Sequence, residues 1–134
     1  MPPGFRDLII RDATVEDSRA IAKLHSAVAQ EGVLTWGSVK TESETREWLD
    51  SLIQLKYPFL IATTTEGNVV ACAVFEPTWD TRDDAGSILS VKLHVAVAQY
   101  RREKGLATHL LMLLQQHPKT RAREIYRVIC ERFR

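Results

Sequence analysis

Residues His94 to Leu111, read as His-Val-Ala-Val-Ala-Gln-Tyr-Arg-Arg-Glu-Lys-Gly-Leu-Ala-Thr-His-Leu-Leu, hold the chain's main chemical signal. An apolar strand pattern, Val95-Ala96-Val97, runs into a basic turn, Arg101-Arg102-Glu103-Lys104-Gly105, and Leu106-Ala107-Thr108 then open a helix. The first amides of a helix have no intrahelical acceptor and stand at the positive end of its dipole. Phosphate groups dock there. Gly105 lets the backbone approach a ligand, Ala107 keeps the wall small, and Arg101, Arg102 and Lys104 add positive charge. Phosphate or pyrophosphate binding is the chemistry these residues suit. A plain glycine turn with a solvated basic loop is the other reading, and the stretch alone leaves both open. It is not a Walker loop, since no Gly-Lys-Ser/Thr follows, nor the dinucleotide fingerprint, which needs three glycines.

The strand before the turn carries two titratable side chains. Alternation places Lys92, His94 and Ala96 on one face. Lysine is normally protonated, whereas a neutral imidazole accepts a proton near neutral pH. His94 is therefore the nearest available base, with an ordinary strand side chain as the alternative. His25 and His109 fall on helical patterns with no ligand partner at metal spacing, so no metal site is expected. No serine or cysteine nucleophile motif is present.

The elements that position these residues follow from pattern. Leu8-Ile9-Ile10-Arg11 reads as a short strand. Thr14 caps a helix whose first turn is acidic and whose Ile21, Leu24 and Val28 share a face; Gly32 breaks it. Thr41-Glu42-Ser43-Glu44 is a capping box opening a second helix. Trp48, Leu49, Leu52 and Ile53 form its apolar stripe, with Trp48 read as core, and Tyr57-Pro58 ends it. Phe59 to Thr65 and Val69 to Phe75 read as strands of a hairpin turning at Glu66-Gly67-Asn68. A loop from Asp80 to Gly86 leads to a strand from Ser87 to Val97. The helix from Leu106 to Gln116 buries Leu110, Leu111 and Leu114 and stops at His117-Pro118. Residues Ile125 to Cys130 suit a strand, yet Ala122, Ile125, Ile129 and Phe133 also suit a helix, and local periodicity leaves this open. The order predicts an α/β (α+β) fold: a mixed, mostly antiparallel sheet flanked by helices.

Composition agrees with one domain over residues 1–134. The chain has 45% hydrophobic and 26% charged residues, which excludes disorder as the main state. The net charge of +1 argues against a general nucleic-acid binder. No apolar run reaches the ~20 residues that span a bilayer, and the N-terminus lacks the pattern of a signal peptide. Two cysteines are too few for a disulfide framework, so a cytoplasmic location is expected.

Arg102-Glu103-Lys104-Gly105-Leu106-Ala107 resembles the R/Q-x-x-G-x-G/A motif of the GCN5-related N-acetyltransferases. The wider match is closest to their phosphinothricin acetyltransferase branch. Ile10 to Asp17 resembles that branch's opening "IRxATxxD". Residues Trp48 to Leu60, with Tyr57-Pro58-Phe59-Leu60, resemble its second helix and next strand. Pro77 to Arg82 resembles its "PWxxR" segment with one residue inserted. The resemblance covers about residues 8–116.

The resemblance implies an acetyl-CoA-dependent transfer to the amine of a small amino-acid-like acceptor, by direct attack on the thioester. Its pyrophosphate would sit on the turn from Arg102 through Glu103, Lys104, Gly105, Leu106 and Ala107 to Thr108. Its pantetheine arm would lie along Val95, Ala96 and Val97, like an added strand. Trp36 lies where the family lines the acceptor pocket, with plain packing as the other reading. Arg82 suits a bidentate pair with a substrate carboxylate, with an ordinary solvated loop arginine as the other reading. The branch carries a glutamate base where this chain has Lys92, which makes His94 the expected base. The family also continues beyond the third helix for several elements, so the chain is expected to lack C-terminal elements and to complete its sheet as a homodimer. The second functional reading is a non-catalytic module of the same fold that binds coenzyme A or mediates oligomerisation.

Overall fold

The computed structural model describes residues 7–30, 40–77, 90–102, 105–121 and 127–130. Five strands form one sheet in chain order: β1 (Leu8–Asp12), β2 (Phe59–Thr64), β3 (Val69–Pro77), β4 (Ser90–Val97) and β5 (Arg127–Cys130). β1 to β4 pair antiparallel, and β5 runs parallel to β4. The helices are α1 (Ser18–Gln30), α2 (Glu42–Gln54), α3 (Leu106–Gln116) and the short α4 (Pro118–Arg121). The mixed, mostly antiparallel sheet flanked by helices is the fold class expected from the sequence.

Local chemistry sets the helix ends. The Thr41 hydroxyl accepts from the Glu44 amide at 3.1 Å, and the Glu44 carboxylate accepts from the Thr41 amide at 3.0 Å. This reciprocal cap satisfies two orphan donors of α2. At the other end, Tyr57 N–H bonds the Leu52 carbonyl and Lys56 N–H bonds the Ile53 carbonyl. Lys56 takes a left-handed φ of 62° to make this Schellman end. The helix thus ends at Gln54, three residues before Tyr57 and earlier than the proline signal suggests. α1 is entered through a 3-10 turn, Val15–Asp17, with the Asp17 carboxylate accepting from the Thr14 amide at 2.7 Å. Burial and hydrogen bonds from Arg11 and Thr14 act on Asp17 in opposite directions, and the bonds prevail, holding it below the ordinary carboxylate range.

The hairpin between β2 and β3 turns where expected, with Gly67 at φ 89°. Its register slips between Ala62 and Thr63, so a bulge absorbs one residue of β3. β3 runs on through Glu76 to Pro77, two residues past the boundary read from its apolar run. The sheet's centre is dry: Ala71 to Phe75 and Val91 are fully buried. The register puts Phe59, Val74 and His94 on one face, with Cys72, Glu76 and Lys92 beside them. That face carries α1 and α2, since His25 meets Cys72 and Trp48 meets Phe59 and His94. Leu60 belongs to the opposite face, where it lines a cleft with Leu113 of α3.

The undecided segment near the C-terminus is a strand over Arg127–Cys130, held by parallel pairing of Ser90 to Leu93 with Arg127 to Cys130. β4 is therefore covered along its first half, where the sequence reading left its edge open.

Candidate active site

The second half of β4 is where backbone groups become available. Ala98 N–H donates to the Val70 carbonyl at 2.8 Å, which fixes the alternation along the strand. Even-numbered residues of β4 turn their amides and carbonyls to β3; Val91, Leu93, Val95 and Val97 turn theirs to the outer edge. Among the described residues the β5 ladder reaches Leu93, and the Val95 and Val97 edge lies beyond that ladder. One group there is taken: Arg102 Nε donates to the Val97 carbonyl at 3.0 Å.

Gln99–Arg101 form a 3-10 turn after β4, and Gly105 stands at the N-cap of α3 with a left-handed φ of 77° that suits glycine. A Cβ at Gly105 would meet open space, and the residue is exposed. Leu106 is buried, so only its backbone can face a ligand, while Thr108 is exposed. The turn, the first amides of α3 and the stretch of the β4 edge over residues 95–97 are close in the chain. They offer amides for phosphate oxygens and strand groups for an extended amide-bearing arm, so the residues present fit coenzyme A. Arg101 does not serve as a spare cation, because its guanidinium grips the Asp7 carboxylate. Glu103, Lys104, Trp36 and Arg82, expected at the cofactor and acceptor sites, lie outside the described residues.

On the α1/α2 face, His94 is 4% exposed rather than solvent-facing. Its Nε2 lies 2.5 Å from Glu76 Oε2. Trp48 Nε1 donates to Glu76 Oε1 at 3.1 Å. The indole meets the His94 ring edge-on at 6.0 Å between centroids, and Lys40 Nζ lies 4.6 Å above the indole. Trp48, read as plain core from its helical stripe, thus serves the polar cluster as well as packing on Phe59. Glu76 sits directly opposite Lys92 in the β3–β4 register. Burial raises the Glu76 pKa, but hydrogen bonds from His94 and Trp48 with the nearby His94 and Lys40 charges outweigh it, leaving the carboxyl below its ordinary range. Glu76 is the residue that sequence reasoning missed. The available signal was a carboxylate closing a strand whose neighbour carries a lysine and a histidine.

Behind this cluster, His25 Nε2 lies 3.4 Å from Cys72 Sγ, and both side chains are fully buried. Burial pushes the Cys72 thiol up to about 12, which makes it an inert core residue. Burial, with the Lys40 and His94 charges, pushes His25 down to about 3. The unfolded chain protonates His25 below its ordinary ~6.5 and the folded chain does not, so this stability is complete above ~6.5 and is lost as pH falls toward about 3. Each unit in that window costs about 1.4 kcal/mol. Denaturant unfolding should show wild type losing about 2 kcal/mol more than His25→Gln between pH 7 and pH 5. Equal losses would refute a neutral, buried His25.

Among the described residues, no group of three His, Cys, Asp or Glu side chains could hold a metal, and no helix is long and apolar enough to cross a membrane.

The acetyltransferase (GNAT) family model matches residues 25–133. No curated protein matches the chain. Among solved structures, the ribosomal-protein-alanine N-acetyltransferase of Brucella melitensis is similar at 25% identity and TM-score 0.72, over 91% of this chain and 72% of that one. A phosphinothricin acetyltransferase from Sinorhizobium meliloti, solved in complex with acetyl-CoA, is similar at 23% identity and TM-score 0.70, over 82% and 58%. A GNAT-family acetyltransferase from Streptococcus pneumoniae follows at 18% identity and TM-score 0.70, over 86% and 68%. This chain therefore spans about three-fifths to seven-tenths of the length of such structures. The match reaches from α1 through the glycine turn and past β5, and on that extent the chain belongs to the GNAT family of acetyltransferases.

Proposed function

We propose that the protein transfers an acetyl group from acetyl-CoA to the amine of a small amino-acid-like acceptor. The observation that carries the reading is the half of the β4 edge beyond the described β5 ladder, leading toward a left-handed glycine at the mouth of α3. The outward groups of Val95 and Val97 suit the amides of the pantetheine arm, as an added strand would. Gly105 and the amides of Leu106, Ala107 and Thr108 suit the pyrophosphate, with Arg102 close by. Ala96, expected among the cofactor contacts, is buried at 2% and turns its amide and carbonyl to β3, so it supports the strand beneath without offering the arm a backbone group. Acetyl-CoA is a co-substrate here, and no metal is invoked.

The chemistry asks three things of the chain: to hold both reactants, to take a proton from the ammonium, and to stabilise the thioester oxyanion. The polar cluster at His94 lies on the same strand as the cofactor edge and supplies the proton acceptor. Lys92 is its cationic neighbour on that face. Calorimetric titration with acetyl-CoA tests the cofactor site: saturable one-to-one binding is expected, weakening as salt screens the phosphates. Absence of binding would end the reading.

A cytoplasmic, two-fold homodimer completes the proposal. Light scattering at micromolar concentration should return twice the 15.2 kDa chain mass. The mass of one chain would remove the dimer without touching the cofactor site.

A further inference from the structure

The acetyl-transfer reading leaves open which group meets the ammonium. We infer that Glu76, on the strand next to the cofactor strand, is the catalytic carboxylate that binds the acceptor's ammonium and takes its proton, with His94 and Trp48 positioning it. This rests on the acetyl-transfer reading.

The geometry separates Glu76 from His94. The His94 side chain is 5% exposed, whereas that of Glu76 is 32% exposed. An acceptor arriving from solvent reaches the carboxylate first. The 2.5 Å contact between Glu76 Oε2 and His94 Nε2 requires a proton between them, since two lone pairs at that distance repel. With the carboxyl ionised, that proton belongs to His94 Nε2. The nitrogen facing the carboxylate is then a donor and cannot accept from substrate. A carboxylate offers about four acceptor positions. The bonds described, from Trp48 to Oε1 and from His94 to Oε2, use one on each oxygen.

Charge placement favours the same assignment. Lys92 stands opposite Glu76 in the register, and Lys40 lies over the Trp48 ring. Both cations repel an ammonium, and Glu76 is the one anionic group among the described residues of this cluster. The groups that would shape its titration are Lys40 before α2, His25 of α1, His94 and Lys92 of β4, and Cys72 on its own strand. Trp48 and His94 hold the carboxylate from two sides, so it is fixed before substrate arrives.

The step balances. An ammonium proton passes to a free lone pair of Glu76, giving a neutral amine and a carboxylic acid. The amine nitrogen forms the C–N bond as the thioester C–S bond breaks. The second nitrogen proton goes to the departing thiolate, and Glu76 returns its proton to solvent.

The test is Glu76→Gln, which keeps shape and hydrogen-bonding capacity while removing charge and basicity. Amine-dependent kcat/KM at pH 7 should fall by about 100- to 10,000-fold, a positioned base's usual contribution. Calorimetric affinity for acetyl-CoA should stay within about twofold. Above the pKa of the acceptor amine the deficit should shrink toward wild type, because no ammonium proton then needs removal. Wild-type turnover at pH 7, or a deficit that stays constant with pH, would overturn the assignment. If Glu76→Gln fails to fold, Glu76→Asp retracts the carboxylate by one methylene, and unchanged kcat/KM in that variant would also overturn it. Inactive wild type with every amine would instead fail the acetyl-transfer reading itself, so the two failures are distinguishable.

Discussion

Replacing His94 with alanine is expected to cut amine acetylation by about 100- to 10,000-fold while acetyl-CoA affinity changes by less than about threefold. His94 donates to Glu76 at 2.5 Å and packs edge-on against Trp48. Its loss removes the hydrogen bond that fixes the carboxylate and opens a void between β4 and α2. The cofactor contacts proposed on β4 are backbone groups of Val95 and Val97, which the imidazole does not make. Steady-state kinetics with calorimetry in parallel separate the effects. Turnover equal to wild type would show that the buried imidazole plays no part in proton removal. Lys92→Glu provides a contrasting result: it removes a cation facing the ammonium and should preserve or raise turnover with cationic acceptors.

The second large effect is expected at Gly105. Gly105→Asp should weaken acetyl-CoA binding by about 100- to 1,000-fold. Two unit charges some 4 Å apart near a protein surface repel by about 4 kcal/mol, and the new carboxylate would stand where phosphate oxygens approach. Gly105→Ala separates charge from backbone strain. Its Cβ meets open space, and the left-handed φ of 77° costs an alanine about 1–2 kcal/mol. That variant should be less stable yet still bind the cofactor. An aspartate variant binding as tightly as wild type would place the phosphates elsewhere.

What could be read from the sequence divides along local and non-local lines. The glycine turn was legible because glycine at a strand-to-helix junction is a local mark with a local cause. The shared face of Lys92, His94 and Ala96 was legible because strand periodicity is exact at two. The α2 cap was legible because Thr41 and Glu44 sit three residues apart and close on each other. Glu76 was hidden because its meaning comes from register: only the pairing of β3 with β4 brings it to Lys92 and His94. Its strand also looked finished at Phe75, where the apolar run ends. Trp48 misled because one indole both packs on Phe59 and donates to Glu76, and a helical stripe reveals only the packing. Arg101 misled for a related reason, since its partner Asp7 is remote in the chain. The segment near Cys130 suited both periods, and its pairing with Ser90 to Leu93 made it a strand.

These effects meet in one assay. Wild-type protein is mixed with acetyl-CoA and a panel of small primary amines and amino acids, and free thiol is followed with time. The account predicts thiol release that depends on the amine, matched mole for mole by acetylated amine in the mass spectrum. Acetyl-CoA binding without amine-dependent release across the panel would contradict it and leave a coenzyme A-binding module in place of an acetyltransferase.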